Sequence, residues 1–333
     1  IKRKPVAHRG LHDGNKKVWE NTLAAFSAAM KRGFPIECDL HMTRDGVPIA
    51  RHENEISETT DVADHPEFAA RKTNKQIDGQ TMTGWFTEDF TLAELKTLRA
   101  KERLPLLRKA NRAYDGQYEI PTFDEILALA KAKSAEPGRQ IGVYPETKHP
   151  SYFASIGLPH EEPLLRSLAR FGLNNGDSPV FIQSFEVGNL QALAEKTKVK
   201  LIQLMDGEGA PADRPDWPYA QMASADGLKQ VAKYANGIGP NKAMVIPRSL
   251  LGKLGEPTSL VKDAHTAGLA VHPWTFRREN YFLPLGQRSG LNPAGHGDLA
   301  AEIRTFLATG IDGLFSDNVA QAVAARDQAD AAR

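Results

Sequence analysis

Two histidines, an arginine and two alternating carboxylates that could act together, His8, His52, Arg9, Glu37 and Asp39, fall within the first 52 residues of this 333-residue chain. They stand in five short pieces: Val6-Ala7-His8-Arg9-Gly10, Trp19-Glu20-Asn21-Thr22, Ile36-Glu37-Cys38-Asp39-Leu40, Thr43-Arg44-Asp45-Gly46 and Ala50-Arg51-His52. Glu37 and Asp39 are two apart, so on a strand both side chains leave the same face. Neighbouring carboxylates repel unless a cation sits between them or one is protonated. Imidazoles near their ordinary pKa carry protons in either direction, and a guanidinium grips a phosphate with two parallel hydrogen bonds. The set suits metal-assisted phosphoryl chemistry. His8 and His52 are the candidate general acid and base, in either order, and Arg9 is the candidate phosphate clamp.

The ordered series resembles the glycerophosphodiester phosphodiesterase family, whose pattern is His-Arg-Gly, Glu-Asn-Thr, Glu-x-Asp, Thr-x-Asp-Gly and a histidine closing the next strand. Further matches are Tyr144-Pro145-Glu146-Thr147-Lys148, Phe181-Ile182-Gln183-Ser184-Phe185, Gly237-Ile238-Gly239-Pro240, Val271-His272-Pro273-Trp274-Thr275 and Gly313-Leu314-Phe315-Ser316-Asp317. Each piece alone is common; their order over residues 4 to about 318 is specific. Two departures leave the reacting groups in place: Glu53 follows His52 where Asp is usual, and Trp19 stands where Pro often precedes Glu-Asn-Thr.

The resemblance implies hydrolysis of glycerophosphodiesters to sn-glycerol 3-phosphate and an alcohol. It is compatible with first attack by the glycerol hydroxyl beside the phosphoester, giving a cyclic phosphate, and with direct attack by a metal-bound water through the same residues. Glu37, Asp39 and Glu146 form the expected metal site, and all-oxygen ligation suits Ca²⁺ or Mg²⁺ better than Zn²⁺. Lys148 shares the strand face of Glu146, so it can pair with that carboxylate and add a charge for the phosphate. Gln183, Phe185 and Trp274 complete the expected substrate pocket, the two aromatic rings as its apolar wall or as barrel packing. Glu20 is read either as an ordinary helix-start residue or as a group near the metal. Among the remaining histidines only His41, on the face of Asp39, is kept in reserve. The rivals are a lysophospholipase-D-like enzyme acting on lipid diesters and a non-catalytic barrel that only binds phosphodiesters. The paired proton carriers argue against the second.

The elements that must position these groups alternate. Strands are predicted at 4–8, 34–41, 47–51, 141–146, 179–184, 199–205, 237–240 with 243–246, 269–274 and 313–316. Helices are predicted at 20–33, 122–134, 161–172, 186–196, 224–235, 257–267, 298–309 and 317–330. This is the pattern of a parallel sheet covered by helices. The chemical residues sit at the C-terminal ends of different strands, which points to a (β/α)8 TIM barrel; the Gly-rich turn of a doubly wound dinucleotide fold is absent. Residues 1–333 are expected to form one such barrel domain, with an insertion over about 53–120 in which only 91–100 looks helical. Ser184 and Ser316 precede Glu186 and Asp317 as strand-to-helix turns. The loop 276–297 either covers the pocket or lies passively on the surface.

Composition sets bounds. A hydrophobic content of 41%, a charged content of 25% and a net charge of +1 describe an ordinary globular chain, with no electrostatic reason to expect nucleic acid as partner. The expected partner is a small glycerophosphodiester. No apolar run is long enough to span a membrane. The single cysteine, Cys38, excludes an internal disulfide and should face away from Glu37 and Asp39. The chain starts at Ile1 rather than Met, and its insertion resembles the periplasmic branch of the family, so a periplasmic or secreted location is expected. The metal-protease, P-loop and serine-hydrolase spacings are missing.

Overall fold

The computed structural model describes residues 4–12, 20–135 and 140–332. Trp19, one of the two departures from the family pattern, lies outside them. In chain order the strands are β1 (Lys4–Ala7), β2 (Ile36–Met42), β3 (Pro48–Ala50), β4 (Thr73–Ile77), β5 (Gln80–Gly84), β6 (Val143–Thr147), β7 (Phe181–Ser184), β8 (Lys200–Met205), β9 (Gly237–Pro240), β10 (Ala270–Val271) and β11 (Gly313–Ser316). Eight of them run parallel with neighbours in the order β10-β9-β8-β7-β6-β2-β1-β11. Backbone bonds from Asp312 N to Val271 O and from Phe315 N to Pro273 O, both 3.0 Å, join β11 to the segment that contains β10 and close the ring. The expected TIM barrel is what the chain forms.

These strands are short and buried along nearly all their length because both faces are covered. Inside the barrel Val6, Tyr144, Ile202 and Phe315 pack together, with Phe181 and Trp274 against them. They fill the lumen beneath the catalytic end, as side-chain layers do in this fold. Outside, helices at Leu23–Lys31, Phe123–Ser134, Glu161–Arg170, Val187–Lys196, Ala225–Val231, Leu260–Thr266, Leu299–Ala308 and Val319–Ala331 lie within the eight predicted segments or a residue beyond them. The Thr22 side chain caps the first, and a reciprocal Thr122–Glu125 box caps the second. Cys38 faces this outer layer beside Phe26, Met30 and Leu127. Burial, reinforced by Glu37 and Asp39 next to it, pushes its thiol pKa up, which leaves it inert.

Three expectations are corrected. The segment 47–51 is no barrel strand: β3 turns back at Thr43–Val47 and pairs antiparallel to β2, Leu40 opposite Ala50. A loop that short permits only a hairpin, since a parallel partner needs a long crossover. The apolar run 243–246 is mainly one helical turn, Lys242–Val245, started by the Asn241 side chain accepting from Ala243 N. In the insertion the α-helix is only Leu92–Leu95, short 3-10 turns add helical backbone at Val62–Asp64, Pro66–Arg71, Thr87–Asp89 and Lys109–Tyr114, and an unexpected hairpin, β4–β5, turns at Asp78-Gly79 with positive φ at both. Ile56, Val62, Phe68, Trp85, Phe90, Leu95 and Leu98 give the insertion an apolar centre that continues into Ile49 and Ile120.

Candidate active site

The carboxylates converge as the alternation on β2 requires. Asp39 lies beside Glu146 in register between β2 and β6, and Glu146 beside Gln183 between β6 and β7. Glu37, Asp39 and Glu146 each present an oxygen within 4.8 Å of the other two, and all three are buried. Burial first, then repulsion from Asp39 and Glu146, raises the pKa of Glu37 well above its ordinary value. Burial likewise lifts Glu146 to about 7, against the pull of Lys148. Asp39 goes the other way: burial would raise it, but Lys148 and Arg9 hold it at about 2. An all-oxygen triad whose members resist being charged together is what a hard divalent cation relieves, so the residues fit such an ion. Gln183 donates to Glu37 Oε1 at 3.3 Å, and its own Oε1 is buried without a hydrogen-bond partner among the described residues.

The cations interleave with the acids. Arg9 adopts a left-handed backbone, φ 55°, a conformation uncommon outside glycine. Its N–H donates to Glu37 Oε2 at 2.9 Å, while its guanidinium lies 3.0 Å from Glu20 and 3.2 Å from Asp39. Gly10 follows at φ 89°, where any Cβ would stand 2.8 Å from Ala25. Asn21 holds Asp39 from the other side at 3.1 Å. Lys148 Nζ lies 3.1 Å from Glu146 and 3.6 Å from Asp39, the pairing expected of it. Glu20 is bound by Arg9 and by Arg103, each at 3.0 Å, so it orients the arginine and is not part of the acidic triad.

Both histidines reach the same cavity with a carboxylate behind them. His8 Nδ1 meets Asp317 Oδ1 at 2.6 Å, and His52 Nδ1 meets Glu53 Oε1 at 2.6 Å. With Nδ1 donating to the acid, each ring leaves Nε2 as the free nitrogen. On His52, Nε2 lies 3.4 Å from Lys148 Nζ, a donor, which places the ring proton on Nδ1. Burial and Arg9 lower the pKa of His8 to about 4, and burial with Arg9 and Lys148 lowers that of His52 well below normal. His41 is buried and points at the His52 backbone, bonding its carbonyl at 3.1 Å.

Sequence reasoning missed the groups that hold His8. Asp317 is no mere helix-start residue: besides His8 it binds Arg108 at 2.6 Å and Arg277 at 2.8 Å. Arg108 comes from the insertion and also contacts Glu279 at 3.0 Å and His12 at 3.2 Å. Asp317 ends a family match, which was the available signal, but its cap-like context hid it. Histidines that lacked a visible partner pattern are also bound, His12 to the His8 carbonyl and His149 to Asp78.

A cavity of about 470 Å³ gathers these groups, lined by His8, Arg9, Glu37, His52, Glu146, Lys148 and Gln183. Phe185 and Trp274, edge to face at 5.8 Å, form part of its wall. Arg277, Tyr281 and Phe282 also line it, so the loop 276–297 flanks the pocket and is not passive.

A TIM barrel with an acidic triad, two carboxylate-backed histidines and the cationic side chains of Arg9 and Lys148 at its C-terminal mouth is the architecture of a phosphodiester hydrolase. Residues 8–321 match the glycerophosphoryl diester phosphodiesterase family, and the chain belongs to that family. It is 36% identical, over 94% of its own length and 82% of the relative's, to a glycerophosphodiester phosphodiesterase of Arabidopsis thaliana. It is 26% identical to the glycerophosphodiester phosphodiesterase of Haemophilus influenzae, over 82% of this chain and 79% of that one. Among solved structures, the barrel is similar to a glycerophosphodiester phosphodiesterase from Parabacteroides distasonis (TM-score 0.60, 16% identity, 98% and 99% of the two chains). It is equally similar to an Oleispira antarctica phosphodiesterase in complex with its product sn-glycerol-3-phosphate (TM-score 0.60, 18% identity, 98% and 97%). The family and enzyme class implied by the motifs are therefore correct.

Proposed function

We propose that the protein hydrolyses glycerophosphodiesters to sn-glycerol 3-phosphate and an alcohol in a reaction that depends on Ca²⁺ or Mg²⁺. The observation that carries this reading is the acidic triad of Glu37, Asp39 and Glu146 sharing one cavity with His8, His52 and Arg9. Glu37, Asp39 and Glu146 would hold the cation, which supplies charge stabilisation for the phosphoryl oxygens when bound. Arg9 and Lys148 add fixed positive charge beside it. One histidine takes a proton through Nε2 from the attacking hydroxyl, and the other returns one to the departing oxygen. The carboxylates behind their Nδ1 atoms stabilise the imidazolium that each must form. Gln183 orients Glu37, and Phe185 and Trp274 shield the substrate from water. Residues 1–333 are read as one domain with the 53–120 insertion seated beside the site, and export to the periplasm or medium belongs to the same reading, supported by that insertion. No helix among the described residues is long and apolar enough to cross a membrane.

The test is direct. Purified protein is incubated with glycerophosphodiesters, with and without chelator, and released glycerol 3-phosphate is measured. Turnover that chelation abolishes and Ca²⁺ or Mg²⁺ restores is expected; full turnover in metal-free protein would overturn the metal assignment.

A further inference from the structure

The side of the cavity facing the carboxylates is made by the segments that follow β9 and β10. Three strands separate β2 from β9 in either direction round the ring. Lys242 and Arg248, which line the cavity after β9, therefore stand across the mouth from Glu37 and Asp39. Lys242 Nζ at 2.7 Å and Arg248 Nη2 at 3.2 Å approach one oxygen, Oε1 of the fully buried Glu302. Arg248 is further fixed by donating to the Phe282 carbonyl at 2.8 Å. Two cations share one carboxylate, so this wall carries surplus positive charge. The acidic residues that line the cavity, Glu37 and Glu146, are on the opposite side.

Ammonium groups are bound by open aromatic faces or by carboxylates. Two aromatic rings of this pocket already hold cations of the protein itself. The Arg277 guanidinium lies 4.6 Å above Phe282, and Lys148 Nζ lies 6.0 Å from the centre of Phe185. Trp274 and Tyr281 also line the cavity and hold no cation among the described residues, so it is the two like charges of the wall, more than the rings, that oppose a choline or ethanolamine group entering here.

A diester held at Arg9 and Lys148 extends two arms. The glycerol arm is neutral and common to every substrate, and only the headgroup arm varies in charge. We propose that the headgroup arm crosses to the Lys242–Arg248 wall, so that the enzyme selects anionic and uncharged, hydroxyl-rich headgroups over cationic ones. This rests on the hydrolytic reading above.

The experiment compares kcat/KM for glycerophosphoglycerol phosphate, glycerophosphoglycerol and glycerophosphocholine at a saturating concentration of the activating cation. The expected order is anionic, then neutral, then cationic, spanning roughly tenfold or more, as one poorly screened charge pair produces. Arg248→Gln should shrink the ratio between the first and last by about tenfold, whereas Arg248→Lys, which keeps the charge, should largely preserve it. Loss of folding cannot produce that contrast, because it lowers all three values together. Equal kcat/KM for the three diesters would overturn the proposal alone, and so would a preference for choline. Arg248→Gln lowering all three by one factor would also overturn it, since the common glycerol arm would then occupy this wall. Hydrolysis of none would overturn the hydrolytic reading and this proposal with it.

Discussion

His8 Nδ1 lies 2.6 Å from Asp317 Oδ1, although 309 positions separate the two residues. The bond joins the turn after β1 to the turn after β11, which are neighbours in the closed barrel. It fixes the histidine's tautomer and leaves Nε2 for chemistry. His8→Ala and His52→Ala should each lower kcat on the order of 10²-fold or more. The two should differ in stability. His8 is only 8% exposed, so removing its ring should cost roughly 1–2 kcal/mol. His52 is more open and should cost less. Steady-state kinetics with paired thermal melts would check this, and near-normal turnover in either variant would make that histidine structural.

Arg108 should matter out of proportion to its place in an insertion. It is buried, and its guanidinium touches Asp317, Glu279 and His12. Arg108→Met leaves buried carboxylates short of a partner, a change that typically costs about 3–5 kcal/mol. The same variant should lower kcat, because Asp317 is then freer to turn away from His8. Denaturant melts and kcat measured well below the melting point separate the two effects. A variant with unchanged stability would show that the insertion does not support the site.

The acidic triad predicts a reversal. In metal-free protein Glu37→Gln should raise the melting temperature near neutral pH, since Gln no longer has to take up the proton that burial, Asp39 and Glu146 force on Glu37 in the folded state. With Ca²⁺ or Mg²⁺ the parent should gain stability as the logarithm of free ion above its dissociation constant, and the variant should gain much less. Equal gains in both proteins would place the ion elsewhere.

What was legible in the sequence was local or repeated along one element. The alternation of Glu37 with Asp39, the spacing of Glu146 from Lys148 and the βα rhythm each follow from the geometry of one strand or helix, and the structure keeps them. What was missed joins distant segments. Asp317 looked like a turn residue because its partners His8 and Arg108 lie 309 and 209 positions away. The β4–β5 hairpin carried a readable signal in Asp78-Gly79, a pair suited to a two-residue turn. Its strands, Thr73–Ile77 and Gln80–Gly84, are mostly polar and exposed, so no apolar alternation marked them. At 243–246 the apolar run reads the same for a buried strand or a helical turn, and the Asn241 cap decides it.

Glu186 gives a pH prediction away from the chemistry. Burial, with Asp213 and Asp78 nearby, lifts its pKa to about 7 against the Ser151 N–H that donates to it at 3.0 Å. A carboxyl whose folded pKa is raised binds its proton more tightly in the native state. The stability it lends is fully present below about pH 4.5 and is lost as pH rises through about 7. Glu186→Gln should thus match the parent near pH 4.5 and exceed it by roughly 1–3 kcal/mol at pH 8. Urea titrations at the two pH values test this, and a constant difference would show that Glu186 is not the titrating group.

The last prediction concerns the nucleophile. Two carboxylate-backed histidines on one cavity suit a base that deprotonates the glycerol 2-hydroxyl and an acid that protonates the departing alcohol. The hydroxyl oxygen then attacks phosphorus, the ester bond to the headgroup breaks, and a five-membered cyclic phosphate forms before water opens it. Attack from within the substrate has an effective concentration that bulk water does not reach. Arg9 and Lys148 stand where they can absorb the charge that builds on the equatorial oxygens, and they do so equally if water attacks instead. The residues alone thus leave both routes open, and the substrate separates them. A diester with hydrogen in place of the glycerol 2-hydroxyl keeps its phosphate and headgroup contacts, so KM should change little while kcat falls by about 10²-fold or more. A transient cyclic phosphate should also appear in rapid-quench samples of the normal substrate. Comparable kcat for the deoxy compound would show that water attacks directly, with one histidine serving as the base for it.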